Sequence, residues 1–537
     1  MAIPSLAMIP TGFKDGKLYS VLPESGVGDF SVTRGSGATR VNKDGLIEDV
    51  RIISGELVTN GSFDSNINFW FKGGGNTSPL SWDNGKMKIT NDVAQLNSAR
   101  QTVNTEIGKT YKVSAEVDST NGLTPRLAST NPTASLIGTS GTIETLTYTF
   151  IATSTSSQIE LFNWQGTINQ YNLWDNVSVK EITNDTDIPR LDYTDGGCPV
   201  LLTEPQSTNL IPYSEDFSQS SWAYGNVTKS LSAVLSPNGV DFAYRIENDA
   251  VSGNHFVRDN VTVLSGTTYT SSVFIKKGTR DIVSIGDGNS VNILANFNLT
   301  NGTVTNISAT SSSIESYGND WFRCTATITT TTTLLGVMLF SGTLYAGKDE
   351  SGDFYIWGAQ LEALPYSTSY IPTSGAIATR LADVVTGAGD SSTFNSTEGV
   401  LYAEIAALAD DGTQRAISIY KDGSLDNFIT IQYNSVSNNI RYLYRQGAVS
   451  VSDLNFVVSD IKTIHKIAAT WKQNEFKLFV DGFNVSENLT GNVAPSNTFV
   501  GLDFKRPDGN LFYGKTKDLR VYNTALSDAE LITLTTI

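Results

Sequence analysis

The sequence predicts an all-β fold of tandem antiparallel β-sandwiches, or jelly rolls, preceded by a short irregular N-terminal segment. Apolar residues alternate in short runs bounded by Gly, Asn and Ser, and no long stretch has the 3.6-residue apolar period of a helix. The strand frame G-x-T-Y-x-x-S occurs at residues 108–114 and again at 266–272. Two copies of one frame in matching contexts indicate a duplicated unit.

Other landmarks recur in the same order around the two frames. A Phe and a Trp precede each frame, and an aromatic strand with a Trp closes each copy; these residues are Phe63, Trp70 and Trp174 in the first copy and Phe217, Trp222 and Trp357 in the second. We therefore predict a jelly roll at 55–182 and its repeat at 206–364. The N-terminal segment is 1–54, and connectors follow at 183–205 and 365–384. The connectors are either ordinary linkers or extended arms laid along a neighbouring surface.

A third and different domain is predicted at 385–537. The stretch "IAATWKQNEFKLFVDG" alternates, turns at residues 472–474 and alternates again, which predicts a β-hairpin. Near the end, Ser527 and Glu530 form the S-x-x-E pattern of a capping box before a short apolar helix.

Composition excludes several classes of partner. The formal net charge of −17 opposes binding to nucleic-acid phosphates and to anionic membrane surfaces. No apolar run approaches the roughly 20 residues of a membrane span, and the N-terminus lacks the features of a secretory signal. We expect neither nucleic-acid binding nor membrane insertion. The two cysteines are too few for a zinc module or a disulfide framework.

The C-terminal series, "W…N…F.LFVDG" followed by "G….LRVYN.ALS..E", resembles the concanavalin A-like lectin/laminin-G superfamily. That resemblance implies a two-sheet jelly roll that binds glycans or proteins through loops at one edge, with calcium in many members. The two middle domains resemble carbohydrate-binding modules or galactose-binding-like jelly rolls.

The segments "ATRVNKDGLIEDV", "PRLDYTDGGCPVLLTEPQSTNLIPYSEDFSQSSW" and "FYIWGAQLEALPYSTSYIPTSG" resemble virion fibre or appendage proteins of tailed bacteriophages. The resemblance implies that residues 1–54 attach to other virion proteins and that the C-terminal part is exposed on the virion surface. It also implies synthesis in the host cytoplasm and self-association, with a homotrimer as the usual state.

Catalytic chemistry is not predicted. The two histidines, His255 and His465, lie far apart in the sequence, and neither is near a G-x-S-x-G nucleophile motif. The carboxylate string E-x-D-x-x-E of glycosidases with this fold is absent from 385–537. A carboxylate pair assembled from distant strands stays open. We expect a protein that is not an enzyme, with no catalytic, cofactor-binding or obligatory metal residue.

One acidic loop is a candidate calcium site. Asp349, Glu350 and Asp353 are close together in "GKDESGDF" and would supply oxygen ligands to Ca²⁺, although the spacing is not that of an EF-hand. A solvated turn is the alternative interpretation.

Exposed aromatic residues are the candidate glycan contacts, because sugar C–H faces stack on rings. Trp82, Trp164 and Tyr444 have no counterpart in the repeat that would assign them to a core, whereas the duplicated Trp174 and Trp357 are predicted to fill cores. The run "NFWFKGGGN" adds Phe69, Trp70 and Phe71, although the duplicated Trp70 and Trp222 favour a structural role.

Together these features favour a structural phage virion protein, a fibre or an appendage, whose sandwiches bind host or environmental glycans. Two alternatives stay open. One is a purely structural head fibre, decoration or connector protein without glycan binding. The other is a polysaccharide depolymerase.

Overall fold

Antiparallel strands form nearly all of the regular structure. The computed structural model describes most of the chain, namely residues 2–14, 16–73, 80–92, 97–165, 167–249, 251, 253–288, 292–342 and 351–537. Within those ranges there is one helix, Asp528–Thr535, and it is too short to cross a membrane. The predicted all-β class is confirmed.

The first sandwich consists of two five-stranded sheets. From edge to edge, one sheet contains Ala134–Ile137, Thr124–Thr130, Ser156–Gln165, Asn97–Asn104 and Phe71–Lys72. The other contains Ile143–Ile151, Thr110–Asp118, Tyr171–Ile182, Lys86–Thr90 and Leu80–Asp83. Their inner faces share one apolar core, in which Trp174 is fully buried as predicted.

The second sandwich consists of two six-stranded sheets. One contains Ala223–Gly225, Phe256–Thr262, Leu334–Ser341, Ile282–Gly286, Ile293–Asn298 and Thr303–Asn306. The other contains Val227–Leu235, Phe242–Asn248, Asp353–Glu362, Thr268–Lys277, Trp321–Thr329 and Ser311–Ser316. Trp222 is buried in their shared core, and Trp357 is buried in a smaller aromatic cluster.

The second sandwich repeats the strand order of the first and adds one strand to each sheet, Thr303–Asn306 and Ser311–Ser316. The repeated frame has the same role in both copies. The Tyr111 ring is buried, and its hydroxyl accepts a hydrogen bond from the Glu106 amide (2.9 Å). Tyr269 likewise accepts from the Leu264 amide (3.0 Å). Each tyrosine therefore fixes the turn that leads into its central strand.

A β-bulge also recurs in both copies. Pairing shifts between Ser114 and Glu116 in the first sandwich and between Ser272 and Phe274 in the second. The left-handed residue opposite the shift is Asn176 (φ 46°) in the first copy. The equivalent residues at the bulge are Glu116 in the first copy and Phe274 in the second, and they differ in chemistry. Phe274 packs on Trp357, whereas Glu116 places a carboxyl group in a buried position.

The C-terminal sandwich packs an eight-stranded sheet on a five-stranded sheet. The larger sheet contains Arg190–Asp192, Val200–Thr203, Gly514–Tyr522, Glu398–Ala407, His465–Lys472, Glu475–Val480 and Phe483–Asn488, with Leu6–Met8 also paired to Gly514–Tyr522. The smaller contains Val449–Val457, Asn439–Gln446, Phe428–Tyr433, Arg415–Tyr420 and Gly501–Asp503. The predicted hairpin is confirmed, as is the capping box of Ser527 and Glu530.

The N-terminal segment and both connectors are built into neighbouring sheets. Leu6–Met8 and Val200–Thr203 lie along one edge of Gly514–Tyr522. A further small sheet contains Phe13–Lys14, Lys17–Leu18, Phe30–Thr33 and Val384–Thr386. Two short pairs complete the strands: Thr39–Val41 with Ile47–Asp49, and Ser207–Asn209 with Ala378–Arg380. These segments are therefore paired strands on the surfaces of the sandwiches.

Five buried charged side chains from these segments form one cluster, which we call the junction cluster: Arg34, Arg190, Glu204, Arg380 and Asp383. Arg190 donates to both Glu204 and Asp383. Arg34 reaches Asp383 at 2.9 Å, and Arg380 reaches Glu204 at 2.9 Å. Burial opposes ionisation of Glu204, but Arg190 and Arg380 outweigh it and lower its pKa to about 2.

Arg190→Gln tests the cluster. The substitution leaves two buried carboxylates without their shared cation, so we expect a loss of about 3–5 kcal/mol in unfolding free energy. The measurement is denaturant unfolding combined with limited proteolysis at 183–205 and 365–384, which should become cleavable. Arg441→Gln, which breaks a partly exposed pair with Asp453, is the control and should cost about 1 kcal/mol or less. Equal losses in the two variants would contradict the central role of the cluster.

Glu116→Gln tests the buried carboxyl at the bulge. Burial raises the Glu116 pKa from its ordinary 4.5 to about 8, and only one carboxyl oxygen has a partner among the described residues, the Asn176 amide at 2.9 Å. A raised acid pKa contributes stability that is full below 4.5 and is lost as pH rises to about 8. We therefore expect the variant to lose less stability than the parent between these pH values. Parallel pH–stability curves would refute this.

Candidate functional site

Trp82 is partly exposed on an edge strand of the first sandwich. Its strand, Leu80–Asp83, pairs only with Lys86–Thr90 among the described residues. The ring is 46% exposed, while the indole Nε1 donates to the carbonyl of Phe63 at 2.7 Å. The predicted glycan contact at Trp82 stays a prediction.

Tyr444 lies inside the C-terminal sandwich, so its predicted role as a glycan contact is wrong. Its ring packs against Phe476 and Phe499, with centroid distances of 5.1 and 6.2 Å. The hydroxyl accepts a hydrogen bond from the Ala494 amide at 2.8 Å, and burial raises the Tyr444 pKa to about 12. The alternation of Asn439–Gln446 places this side chain on the inner face of its sheet.

Of the three candidate calcium ligands only Asp353 is described, because Asp349 and Glu350 lie outside the described residues. The Asp353 carboxylate accepts hydrogen bonds from the Thr279 amide (2.9 Å) and hydroxyl (2.6 Å) and from Arg245 (2.5 Å). Burial acts against ionisation, but these donors lower the Asp353 pKa overall. Over the part of the chain that is described, no three His, Cys, Asp or Glu residues form a metal-holding group.

The two histidines contribute to local structure. His465 begins a strand, and its Nδ1 lies 2.6 Å from Asp481 while Nε2 lies 3.0 Å from the carbonyl of Asp460. His255 is buried, with Nε2 3.3 Å from the carbonyl of Asp249. Both rings therefore contact loop and turn groups of their own neighbourhoods. The expectation that the protein is not an enzyme stays a prediction.

Trp164 lies on the outer face of the first sandwich. In Ser156–Gln165 the side chains of Ile159 and Leu161 enter the core, so the alternating residues Glu160, Phe162 and Trp164 point to the other face. The Arg126 guanidinium carbon lies 4.2 Å from the Trp164 ring centroid and 5.4 Å from that of Phe162. This is a cation–π stack on a sheet surface.

The register of three strands arranges further polar and aromatic side chains beside this stack. Arg100 is opposite Glu160 in one row, and Phe162 is opposite Arg126 in the next. On the edge strand, Phe71 is opposite Arg100 and is 67% exposed. We call this surface the outer platform; its residues are Phe71, Arg100, Thr102, Arg126, Gln158, Glu160, Phe162 and Trp164.

A groove of about 510 Å³ opens at the Phe71 edge of the outer platform, lined by Thr59, Phe69, Phe71, Arg100, Gln101, Thr102 and Gln158. Gln101 shapes it, because its side chain accepts from the Thr59 amide (2.7 Å) and donates to the Thr59 carbonyl (2.8 Å). This pair of hydrogen bonds holds the preceding loop against the strand edge, and Phe69 in that loop is exposed.

The outer platform combines two kinds of chemistry. Exposed rings offer stacking surfaces for apolar faces, and the guanidinium, amide, hydroxyl and carboxylate groups offer donors and acceptors in one plane. The sequence predicted Trp164, Phe69 and Phe71 as candidates but missed Arg100, Arg126, Glu160 and Phe162. The alternation of 156–165 is the signal that would have placed Glu160 and Phe162 beside Trp164.

A search of curated proteins finds no match to this chain. Among solved structures, the CBM40 of the Ruminococcus gnavus IT-sialidase bound to α2,3 sialyllactose is 16% identical, covering 28% of this chain and 93% of that chain, with a TM-score of 0.24. The CBM22-1–CBM22-2 tandem domain of Paenibacillus barcinonensis Xyn10C is 13% identical, covering 62% and 100%, with a TM-score of 0.21.

The Trypanosoma rangeli sialidase in complex with the inhibitor DANA is 10% identical and covers 94% of this chain and 98% of that chain, with a TM-score of 0.23. Likenesses at this level assign no function. The sequence match is more specific: residues 386–532 match the family model described as the concanavalin A-like lectin/glucanases superfamily. The predicted resemblance of the C-terminal domain is thereby confirmed.

Proposed function

We propose that this chain binds glycans without cleaving them and that the outer platform of the first sandwich is a binding surface. The observation that carries the proposal is the placement of Trp164, Phe162 and Phe71 on one outward sheet face among polar side chains. Core packing does not account for these rings, because the strand of Phe162 and Trp164 buries its alternate residues instead and Phe71 is 67% exposed.

A glycan fits this surface better than an apolar ligand does. Sugars present C–H faces to rings and hydroxyl groups at their edges, and the outer platform alternates rings with Arg100, Gln158 and Thr102 over a shallow, open groove. A buried apolar ligand would instead need an enclosed pocket lined mainly by apolar side chains. The lectin-type C-terminal sandwich would give the chain a second glycan-binding module.

We further propose that the chain is a fibre or appendage of a phage virion, on the basis of the sequence resemblance, and that it self-associates. The N-terminal segment already uses Leu6 and Met8 in the core of the C-terminal sandwich. Contacts with another virion protein would therefore use its exposed apolar residues, which are Ile3, Tyr19, Val21, Val27 and Ile53.

Trp164→Ala tests glycan binding. Loss of a stacking ring should weaken binding about tenfold on a glycan array and in titration calorimetry. Phe483→Ala removes an exposed ring from the C-terminal sandwich, away from the outer platform, and is the control, expected to bind as the parent does. If the parent chain binds no polysaccharide or host cell, the proposal fails. If both variants bind like the parent, the outer platform is not the site.

Val21→Asp combined with Ile3→Asp tests the virion role. Both side chains are exposed, so we expect a folded protein that is lost from purified particles, as judged by immunogold electron microscopy. Ile537→Asp changes an exposed residue at the other terminus and should leave incorporation intact. Absence of the parent protein from particles would end this part of the proposal.

A further inference from the structure

Two guanidinium groups of the outer platform form no ion pair with any residue in the described part of the chain. Neither Arg100 nor Arg126 makes an ion pair or a hydrogen bond with the described residues, and the Arg126 Nε is buried without a partner. This contrasts with arginines such as Arg245 and Arg441, which pair with Asp353 and Asp453. In a chain with 54 acidic and 37 basic residues, two unpaired guanidiniums on one sheet face require an explanation.

One carboxylate lies between them without neutralising both. Glu160 is opposite Arg100 in the register, and its Oε1 accepts a hydrogen bond from the Ser98 hydroxyl at 2.6 Å. Two cations and one anion give the platform a net charge of +1 within a protein of charge −17. The surface is therefore locally positive where the molecule as a whole is negative.

The second sandwich shows that the fold does not require these charges. By strand register, Asn260 occupies the position of Arg100, Gly286 that of Arg126 and Gly336 that of Glu160. The Asp287 carbonyl accepts from the Gly336 amide (3.3 Å), and the Gly288 carbonyl accepts from Asn260 (2.7 Å). At these positions the second copy is therefore contacted by its own Asp287 and Gly288, whereas the first copy carries two cations.

We propose that the outer platform binds acidic glycans, holding a carboxylate or sulfate group with Arg100 and Arg126 while the sugar ring stacks on Phe71 or Trp164. This inference rests on the proposed glycan-binding function and names the class of glycan. Guanidinium groups suit planar oxyanions because their N–H donors lie in one fork. The Trp164 ring, whose centroid lies 4.2 Å from the central carbon of the Arg126 guanidinium, positions that group on the sheet face.

The spacing of the two arginines suits a short segment of an oligosaccharide. Their strands flank the same central strand, on which Arg100 is opposite Glu160 and Arg126 is opposite Phe162. A separation of two strand spacings and an offset of two residues place their Cα atoms about 12 Å apart. The overall charge of −17 repels a densely charged polymer, but beyond about 8 Å this repulsion is screened at physiological salt. A glycan with one acidic group per repeat suits the spacing of the two arginines and avoids the charge density that the protein would repel.

The test compares matched ligands on the full chain. Uronic-acid, sialic-acid and sulfated oligosaccharides are each paired with their carboxyl-reduced or desulfated forms, and binding is measured by calorimetry. The parent should prefer the acidic member of a pair. Arg126→Gln and Arg100→Gln should each bind it about 10- to 100-fold more weakly while binding the neutral member unchanged. Arg258→Gln alters a cation on the equivalent face of the second sandwich and is the control.

The outcomes separate the inference from the function on which it rests. Equal binding of acidic and neutral members by the parent, or acidic binding unaffected in both arginine variants, overturns the acidic preference and leaves glycan binding in place. No binding of either member overturns both. Thermal unfolding of each variant close to that of the parent shows that a loss of binding comes from the removed charge.

Discussion

The architecture depends on the junction cluster. It joins segments that are far apart in the sequence, since Arg34 and Asp383 are separated by 349 positions. Ionised groups lose hydration when they are buried, and only complete pairing offsets that cost. Here the pairing is nearly complete, because Ser369 donates to Glu204 through both its amide (2.8 Å) and its hydroxyl (2.7 Å). The N-terminal segment and the two connectors can satisfy these charges only when all three are in place.

Duplication separates what the sandwich needs from what each copy has acquired. Both copies keep the tyrosine that fixes the turn and the bulge between their two central strands. They differ on the sheet faces that are turned away from the core of each sandwich, some of which are covered by other segments of the chain. Phe274 belongs to an aromatic cluster with Trp357 and Tyr370, whereas the matching Glu116 is a buried acid. Residues on these outer sheet faces that differ between the copies are therefore the candidates for functions specific to each sandwich.

Local patterns predicted the elements whose contacts are local. The hairpin around Asn474 and the cap at Ser527 depend on neighbours within a few residues, and the sequence contains them in full. Tyr444 shows the limit, because alternation defines two faces of a strand without stating which one enters a core. The connectors show a second limit. Val200–Thr203 pairs with a strand more than 300 positions away, and no local pattern contains that partner.

The candidate site was only partly predictable for the same reason. Trp164 is conspicuous as a single residue, but Arg100 and Arg126 become informative only when the structure shows that neither guanidinium forms an ion pair with the described residues. The two sheets of the first sandwich also face different surroundings. Lys112 and Asn176, on the sheet away from the outer platform, line a cavity of about 420 Å³ with Asn238 and Asp241 of the second sandwich. One sheet thus meets the rest of the chain while the other presents the outer platform, so a bound glycan would not compete with the contacts that hold the sandwiches together.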